Sequence, residues 1–274
     1  MAKEPSVAPI PEGAVVKIVN STMLDAAMTY TANRIRNKTG GTDQIAWDSA
    51  KGFGDAVDAI TGGGADHSVE DAIITRSISG AYSNDRITTV GQCAFLGCQA
   101  LTAIDLPNVT QVNRNAFESC IHLQTINLPK VTAFDRDVFL NSAIQQADFP
   151  LVTTIGNNCF RMATSLTSAN LPLVTALPAD AFRDSTIRTA DFAAVTNINR
   201  TAFTDCKSLE TLIIRTPSVC VISDISVALR GSKIASGTGY IYVPDNLVDS
   251  YKAATNWVTL ANQIKQISAL EAST

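Results

Sequence analysis

The chain has 274 residues, 46% hydrophobic and only 17% charged. Lys plus Arg number 21 against 25 for Asp plus Glu, a net charge of −4, which argues against a broad nucleic-acid-binding face. No apolar run approaches the ~20 residues that span a bilayer, so no membrane insertion is expected, and six cysteines are too sparse for a small disulfide scaffold.

Residues 1–17 carry Pro5, Pro9 and Pro11 and no apolar core of the signal-peptide kind, so they read as an arm, and ordinary secretion is not expected. Ser21 or Thr22 can cap a helix carrying Leu24, Ala27, Met28, Thr31 and Ile35, which Gly40-Gly41 stops. A second helix is expected through Phe53, Val57 and Ile60. Residues 1–60 thus form an arm and a helical hairpin too small to be stable alone, which calls for a second copy or another protein to pack on. Thr61-Gly62-Gly63-Gly64 begins a Gly-rich hinge at 61–67.

Residues 68–216 are expected to fold as a stack of repeats, with Val69, Ile73 and Ile78 leading in. Phe95, Phe117, Phe139, Phe160, Phe182 and Phe203 are spaced by 22, 22, 21, 22 and 21 residues. Three residues after each comes a compact one: Cys98, Cys120, Ser142, Ala163, Ser185 and Cys206. An apolar slot follows, filled by Leu101, Leu123, Ile144, Leu166, Ile187 and Leu209. Each unit then alternates inside and outside, as in Ile104-Asp105-Leu106 and Ala147-Asp148-Phe149, the pattern of a half-buried strand. Pro107, Pro129, Pro150 and Pro172 end four of these strands, and a second alternating piece follows, as in Val109 to Val112. One such unit cannot bury its apolar side, whereas stacked units can. The fold class is therefore mainly β, a solenoid of about six coils of 21–22 residues.

A stack with a bare end exposes its core, so residues 217–274 are expected to cap it. Ile213 replaces Asp or Asn in the outward slot, which suggests a cover there. The strand Tyr240–Val243 can pair with the last coil. A helix from about Asp245, carrying Leu247, Tyr251 and Trp257, can plug the opening, and Leu260, Ile264 and Ile267 have the spacing of a last amphipathic helix.

The segment Leu101-x-x-Ile104-x-Leu106-Pro107-x-Val109, with Ala116-Phe117-x-x-Cys120, resembles the BspA-type (Treponema-type) leucine-rich repeat over about residues 68–216. It departs from the standard leucine-rich repeat in having Val109, Val131 and Val152 where an Asn is usual. The resemblance implies a curved solenoid used as an adhesive or binding surface, frequently at cell exteriors, and no catalysis. Ala27 to Ile60, centred on Ile35-Arg36-Asn37-Lys38-Thr39-Gly40-Gly41-Thr42-Asp43, resembles a short helical segment of tail-associated proteins in phages and prophages of Gram-positive gut bacteria. Tyr240 to Pro244 with Leu247, Tyr251 and Trp257 resembles the C-terminal cap of many such repeats.

The candidate binding face is a ladder: Asp105, Asn127, Asp148, Asn170 and Asp191 occupy one outward slot in five successive coils. Alternating Asp with Asn sets the acids roughly two strand spacings apart. Such a row can hydrogen-bond sugar hydroxyls or hold a cation; equally, it can be a solvated face bonded along the stack. Beside it runs the row Ala103, Thr125, Gln146, Ser168, Thr189 and Thr211. Exposed aromatics, the usual sugar-stacking platform, are absent from both rows, which weakens a glycan reading of this face. Four cysteines read as small buried fillers, a Cys98–Cys120 disulfide is conceivable, and no zinc-finger spacing is present. His67 and His122 read as structurally incidental, Gly62-Gly63-Gly64 and Gly237-Thr238-Gly239 as linkers, and the loop row Arg114, Arg136 and Arg200 as surface solvation. No catalytic residue, metal or cofactor is expected.

These readings converge on a non-enzymatic virion protein, made in the host cytoplasm without a signal peptide. The expectation is a tail-associated receptor-binding or adhesion component at the particle surface. Residues 1–60 would join other virion proteins or further copies in a homo-oligomer, and the repeat surface would meet host polysaccharide or protein. The alternatives are a structural adaptor or decoration protein of the virion and a bacterial surface adhesin.

Overall fold

A computed structural model of the chain describes residues 78–85 and 87–272. The arm and hairpin expected within residues 1–60, the hinge at 61–67, and Val69 and Ile73 lie outside the described residues.

The described chain winds through parallel strands on two sides. The main side carries β1 (Gly80–Ser83), β3 (Leu101–Asp105), β5 (Thr125–Asn127), β7 (Gln146–Asp148), β9 (Ser168–Asn170), β11 (Thr189–Phe192) and β13 (Thr211–Ile214). It continues into β15 (Tyr240–Val243) and β16 (Ile264–Gln266). The other side carries the two-residue strands β2 (Thr89–Val90), β4 (Gln111–Val112), β6 (Ala133–Phe134), β8 (Thr154–Ile155), β10 (Ala176–Leu177), β12 (Asn197–Ile198) and β14 (Val221–Ile222). All ladders are parallel, because each strand pairs with its equivalent one turn of the winding away. The main side divides into two ladders between β5 and β7, and the other side divides between β8 and β10. Contact across the main division persists through Gln145 N–H to Gln124 O at 3.2 Å. It falls where the inward filler changes from Ile104 and Ile126 to Ala147, Ala169 and Ala190.

Between the two sides each coil makes a turn around its Phe. The six rings stack at centroid distances of 5.1, 5.5, 5.4, 5.1 and 5.2 Å, with interplanar angles of 12° or less. Two positions in the turn have left-handed backbone, two residues before and two after the Phe. Before it these are Cys93, Asn115, Asp137, Asn158 and Asp180; after it they are Gly97, Ser119, Asn141, Met162, Asp184 and Asp205. Asn, Asp and Gly accept that conformation at least cost, which explains their recurrence. With both residues left-handed, three N–H groups per turn reach the next coil: Asn115 to Arg136 O at 3.2 Å, Phe117 to Val138 O at 2.9 Å, and Ser119 to Leu140 O at 2.8 Å. In the last regular coil Thr201 substitutes its hydroxyl, which accepts from Asp180 N–H at 3.1 Å.

The compact slot is fully packed: Cys98, Cys120, Ser142, Ala163 and Cys206 are 0% exposed. All six cysteines are buried thiols rather than disulfide partners. Cys120 Sγ donates to Phe95 O at 3.0 Å and Cys206 Sγ to Phe182 O at 2.9 Å. Burial pushes the Cys206 and Cys220 thiols up to about 12 and raises Cys120 and Cys159 as well. Cys93, which had no place in the repeat pattern, takes the left-handed slot elsewhere held by Asn or Asp.

Within residues 217–274 the winding first continues. β14 pairs with β12, and helix α1 (Ile225–Ala228), capped by Asp224, replaces the Phe turn. It receives the ladder from the preceding coil through Thr204 Oγ1 to Val227 O at 2.9 Å and Asp205 N–H to Arg230 O at 2.7 Å. β15 then pairs with β13, as the alternation in Tyr240–Val243 predicts. Gly239 lets the chain enter β15, since a Cβ there would lie 2.6 Å from Glu210 O. The plug after Asp245 is a 3-10 turn at Asp245–Leu247 and helix α2 (Val248–Ala253). Tyr251 and Trp257 are buried, with Trp257 Nε1 donating to Cys220 O at 2.9 Å. The amphipathic helix expected over Leu260, Ile264 and Ile267 does not form. Val258–Gln263 is a 3-10 helix, Ile264 opens β16 in parallel pairing with β15, and Ile267–Glu271 is a short helix, α3. The backbone donors left open along β15 override the helical spacing of the side chains.

Candidate binding face

The outward side of the main strands carries the two expected rows, held in register by the parallel ladders. Row one runs Ala81, Ala103 and Thr125, then Gln146, Ser168, Thr189, Thr211 and Tyr240. Row two runs Ser83, Asp105 and Asn127, then Asp148, Asn170, Asp191, Ile213, Tyr242 and Lys265. Ser83 therefore extends the polar ladder before Asp105. Tyr240 and Tyr242 extend both rows beyond the six coils, which corrects the expectation of a face without exposed aromatics. The signal was present in Tyr240-Ile241-Tyr242-Val243, which alternates outside and inside like the repeat strands.

The carboxylates of row two are closed in pairs. Asn127 Nδ2 donates to Asp105 Oδ1 at 2.8 Å, and Ser83 Oγ donates to Asp105 Oδ2 at 3.2 Å. Asn170 Nδ2 donates to Asp148 Oδ1 at 3.0 Å. Asp191 receives two 2.9 Å bonds from Arg215, which also lies 3.5 Å from Glu271 of α3. The alternation of Asp and Asn is thus an alternation of acceptor and donor along the stack. Among the described residues no group of three or more His, Cys, Asp or Glu gathers as metal ligands would.

Small residues at Ala81 and Ala103 leave a shallow depression of about 440 Å³ over β1, β3 and β5, rimmed by Ser83, Asp105, Thr125 and Asn127. On the row preceding row one, Glu210 accepts from Arg188 at 2.6 Å and from Lys233 at 2.8 Å. The Lys233 and Arg188 bonds hold its carboxyl below the usual range. His122 sits in an exposed turn, with Nδ1 2.6 Å from Gln99 O. Of the basic loop row, Arg114 and Arg136 lie 3.8 and 3.9 Å from Asp137.

No curated protein matches the chain. Among solved structures, TpLRR, a leucine rich repeat protein of T. pallidum, is 21% identical, covering 62% of this chain and 80% of its own, with a TM-score of 0.46. The pneumococcal vaccine antigen PcpA is 14% identical, covering 68% of this chain and 39% of its own, with a TM-score of 0.39. A leucine rich cell surface protein of Faecalibacterium prausnitzii is 16% identical, covering 69% and 79%, with a TM-score of 0.27. None of these matches bears on the resemblance of Ala27 to Ile60 to tail-associated proteins. The segment from Thr88 to Glu210 matches, in six copies, the model of the BspA type leucine rich repeat region over residues 88–210, and that region is what its turns and strands are similar to.

Proposed function

We propose that this chain is a non-enzymatic adhesion protein that presents the outer face of its main strands to a host cell. On this reading it is a tail-associated, receptor-binding component of a phage or prophage particle, joined to that particle through residues 1–60. The observation that carries the adhesion reading is the pair of rows set in register by two parallel ladders, β1 to β5 and β7 to β11. Their side chains stand outward on a rigid comb, and their acids are closed on neighbouring side chains. Such a face offers many weak, regularly spaced contacts, which suits a repetitive surface and gives no reacting group a defined place. The particle reading rests on the resemblance of Ala27 to Ile60.

The test uses the full chain, labelled and incubated with a panel of Gram-positive gut bacteria, together with immunolabelling of particles induced from a lysogen. Saturable binding to a subset of strains and label at particle tails is the expected result. Label on the bacterial surface without label on particles would instead make the protein a bacterial adhesin. Label on particles with no binding to any strain would make it an adaptor or decoration protein.

A further inference from the structure

The polar side chains of the main side divide into two groups. Thr167, at the entry to β9, spends its hydroxyl on Gln145 O of the preceding coil at 2.9 Å. The Asp and Asn of row two bond to one another. In row one, by contrast, the side chains of Thr125, Gln146, Ser168, Thr189 and Thr211 make no hydrogen bond to any described residue. Five successive coils therefore hold out unspent hydroxyl and amide groups, at the ~4.8 Å spacing of paired strands from Gln146 to Thr211.

The two rows also end differently. Row two breaks its polar ladder at Ile213, only 5% exposed, and runs on through Tyr242 to Lys265, while α3 is tied down through Arg215 and Glu271. Row one stays open and ends on Tyr240, 40% exposed. The Tyr240 ring is held in place by the Tyr242 ring, 6.3 Å away at 63°, and by the Lys265 ammonium 5.4 Å from its centroid. A fixed, exposed aromatic beside a line of free hydroxyls and amides matches the chemistry of a sugar: an apolar ring face flanked by hydroxyls that both donate and accept.

We infer that row one is a track for an extended neutral glycan, with Tyr240 as the stacking platform at its C-terminal end. This inference rests on the adhesion reading above and names its ligand class and face. One strand spacing per coil is close to the advance of one pyranose ring in an extended chain, so successive sugars meet successive coils. Neutrality follows from the neighbouring row. Asp105 and Asp148 accept from uncharged amides, while Arg188 and Lys233 share Glu210 and Arg215 lies against Asp191 and Glu271. An anionic polymer laid along Thr125 to Ser168 would face the Asp105 and Asp148 carboxylates, whose bonds go only to uncharged groups.

The test uses the full chain on an array of neutral oligosaccharides (cellohexaose, maltohexaose, chitohexaose and a mannan), with polygalacturonate as the acidic control. In parallel, it uses bound cells treated with periodate, which cleaves vicinal diols, or with protease. The expected result is binding to at least one neutral probe and none to polygalacturonate, with cell binding abolished by periodate and retained after protease. Tyr240→Ala should weaken binding at least tenfold, and Tyr240→Phe should stay within threefold of wild type. Cell binding that survives periodate and is lost to protease would overturn the glycan ligand while leaving the adhesion reading intact. Glycan binding unchanged by Tyr240→Ala would overturn the track. Absence of binding to every cell and every probe by folded protein would overturn both.

Discussion

Each coil has two contrasting parts: the Phe turn, and the outward face of the main strand. In the turn, three constraints meet on the same few residues. The ring stacks on its neighbours, the flanking residues adopt left-handed backbone, and alternate N–H groups bond to the next coil. On the face, Ala103 and Thr125, and then Gln146, Ser168 and Thr189, follow one another in register without touching a common partner. The repeat therefore confines its structural demands to one side and leaves the other free to vary. That separation lets a stack grow by coils while its surface acquires specificity.

The largest expected effect tests that separation. Phe139→Ala should cost about 3–5 kcal/mol in denaturant unfolding, because it removes a buried ring stacked on both sides. Gln146→Ala, one strand away on the face, should stay within about 0.5 kcal/mol. Equal losses at the two positions would erase the contrast. Gly156 marks where the shorter coil brings two backbones together, with a Cβ there 2.6 Å from the Asp135 carbonyl carbon and 2.7 Å from Arg136 Cα. Gly156→Ala should therefore cost about 1–3 kcal/mol, and a neutral result would mean the coils stand further apart.

The buried thiols supply a pH dependence. Cys120, Cys159, Cys206 and Cys220 have pKa values raised by burial. Below about pH 9 both folded and unfolded states keep these protons, so no effect is expected. Above it the unfolded chain releases protons that the folded chain retains. Stability should then fall by about 1.4 kcal/mol per pH unit for each thiol, until the folded value is reached. Flat stability between pH 9 and 10.5 would show that the slot admits the thiolate.

Smaller effects sharpen the account of the turn. Met162 holds left-handed backbone in a slot filled by Asn141 and Asp184 in adjacent coils, so Met162→Asn should stabilise by up to about 1 kcal/mol. Ser142 is fully buried and its hydroxyl lacks a partner, so Ser142→Ala should gain about 1 kcal/mol. Thermal unfolding of each variant decides; a loss at either would mean that the side chain finds a bond in solution.

Much of this was legible in the sequence because stacking repeats its demands. The spacing of the Phe residues, the compact slot at Cys98, Cys120 and Ser142, the alternation in Ile104-Asp105-Leu106 and the Ile213 exception each state a local environment. The Asn and Asp two residues from five of the six Phe residues were equally periodic. Their reason is backbone handedness rather than burial, which an apolar pattern does not express. Non-repeating segments were harder. Leu260, Ile264 and Ile267 are spaced like one face of a helix, yet β15 offers an open edge that recruits Ile264 into a strand. Tyr240 and Tyr242 join the rows only because the coil before them replaces its Phe turn with α1, a longer path that hides the register from a count of residues.

The central claim is that recognition belongs to the outward face of the main strands. A direct measurement compares binding of the full chain to cells after placing a bulky cation on each side. Thr125→Arg and Gln146→Arg obstruct row one, whereas Ala176→Arg burdens an exposed position on the opposite side. The account predicts that the first two abolish binding with unfolding midpoints unchanged, while Ala176→Arg binds like wild type. Binding lost only with Ala176→Arg would contradict it.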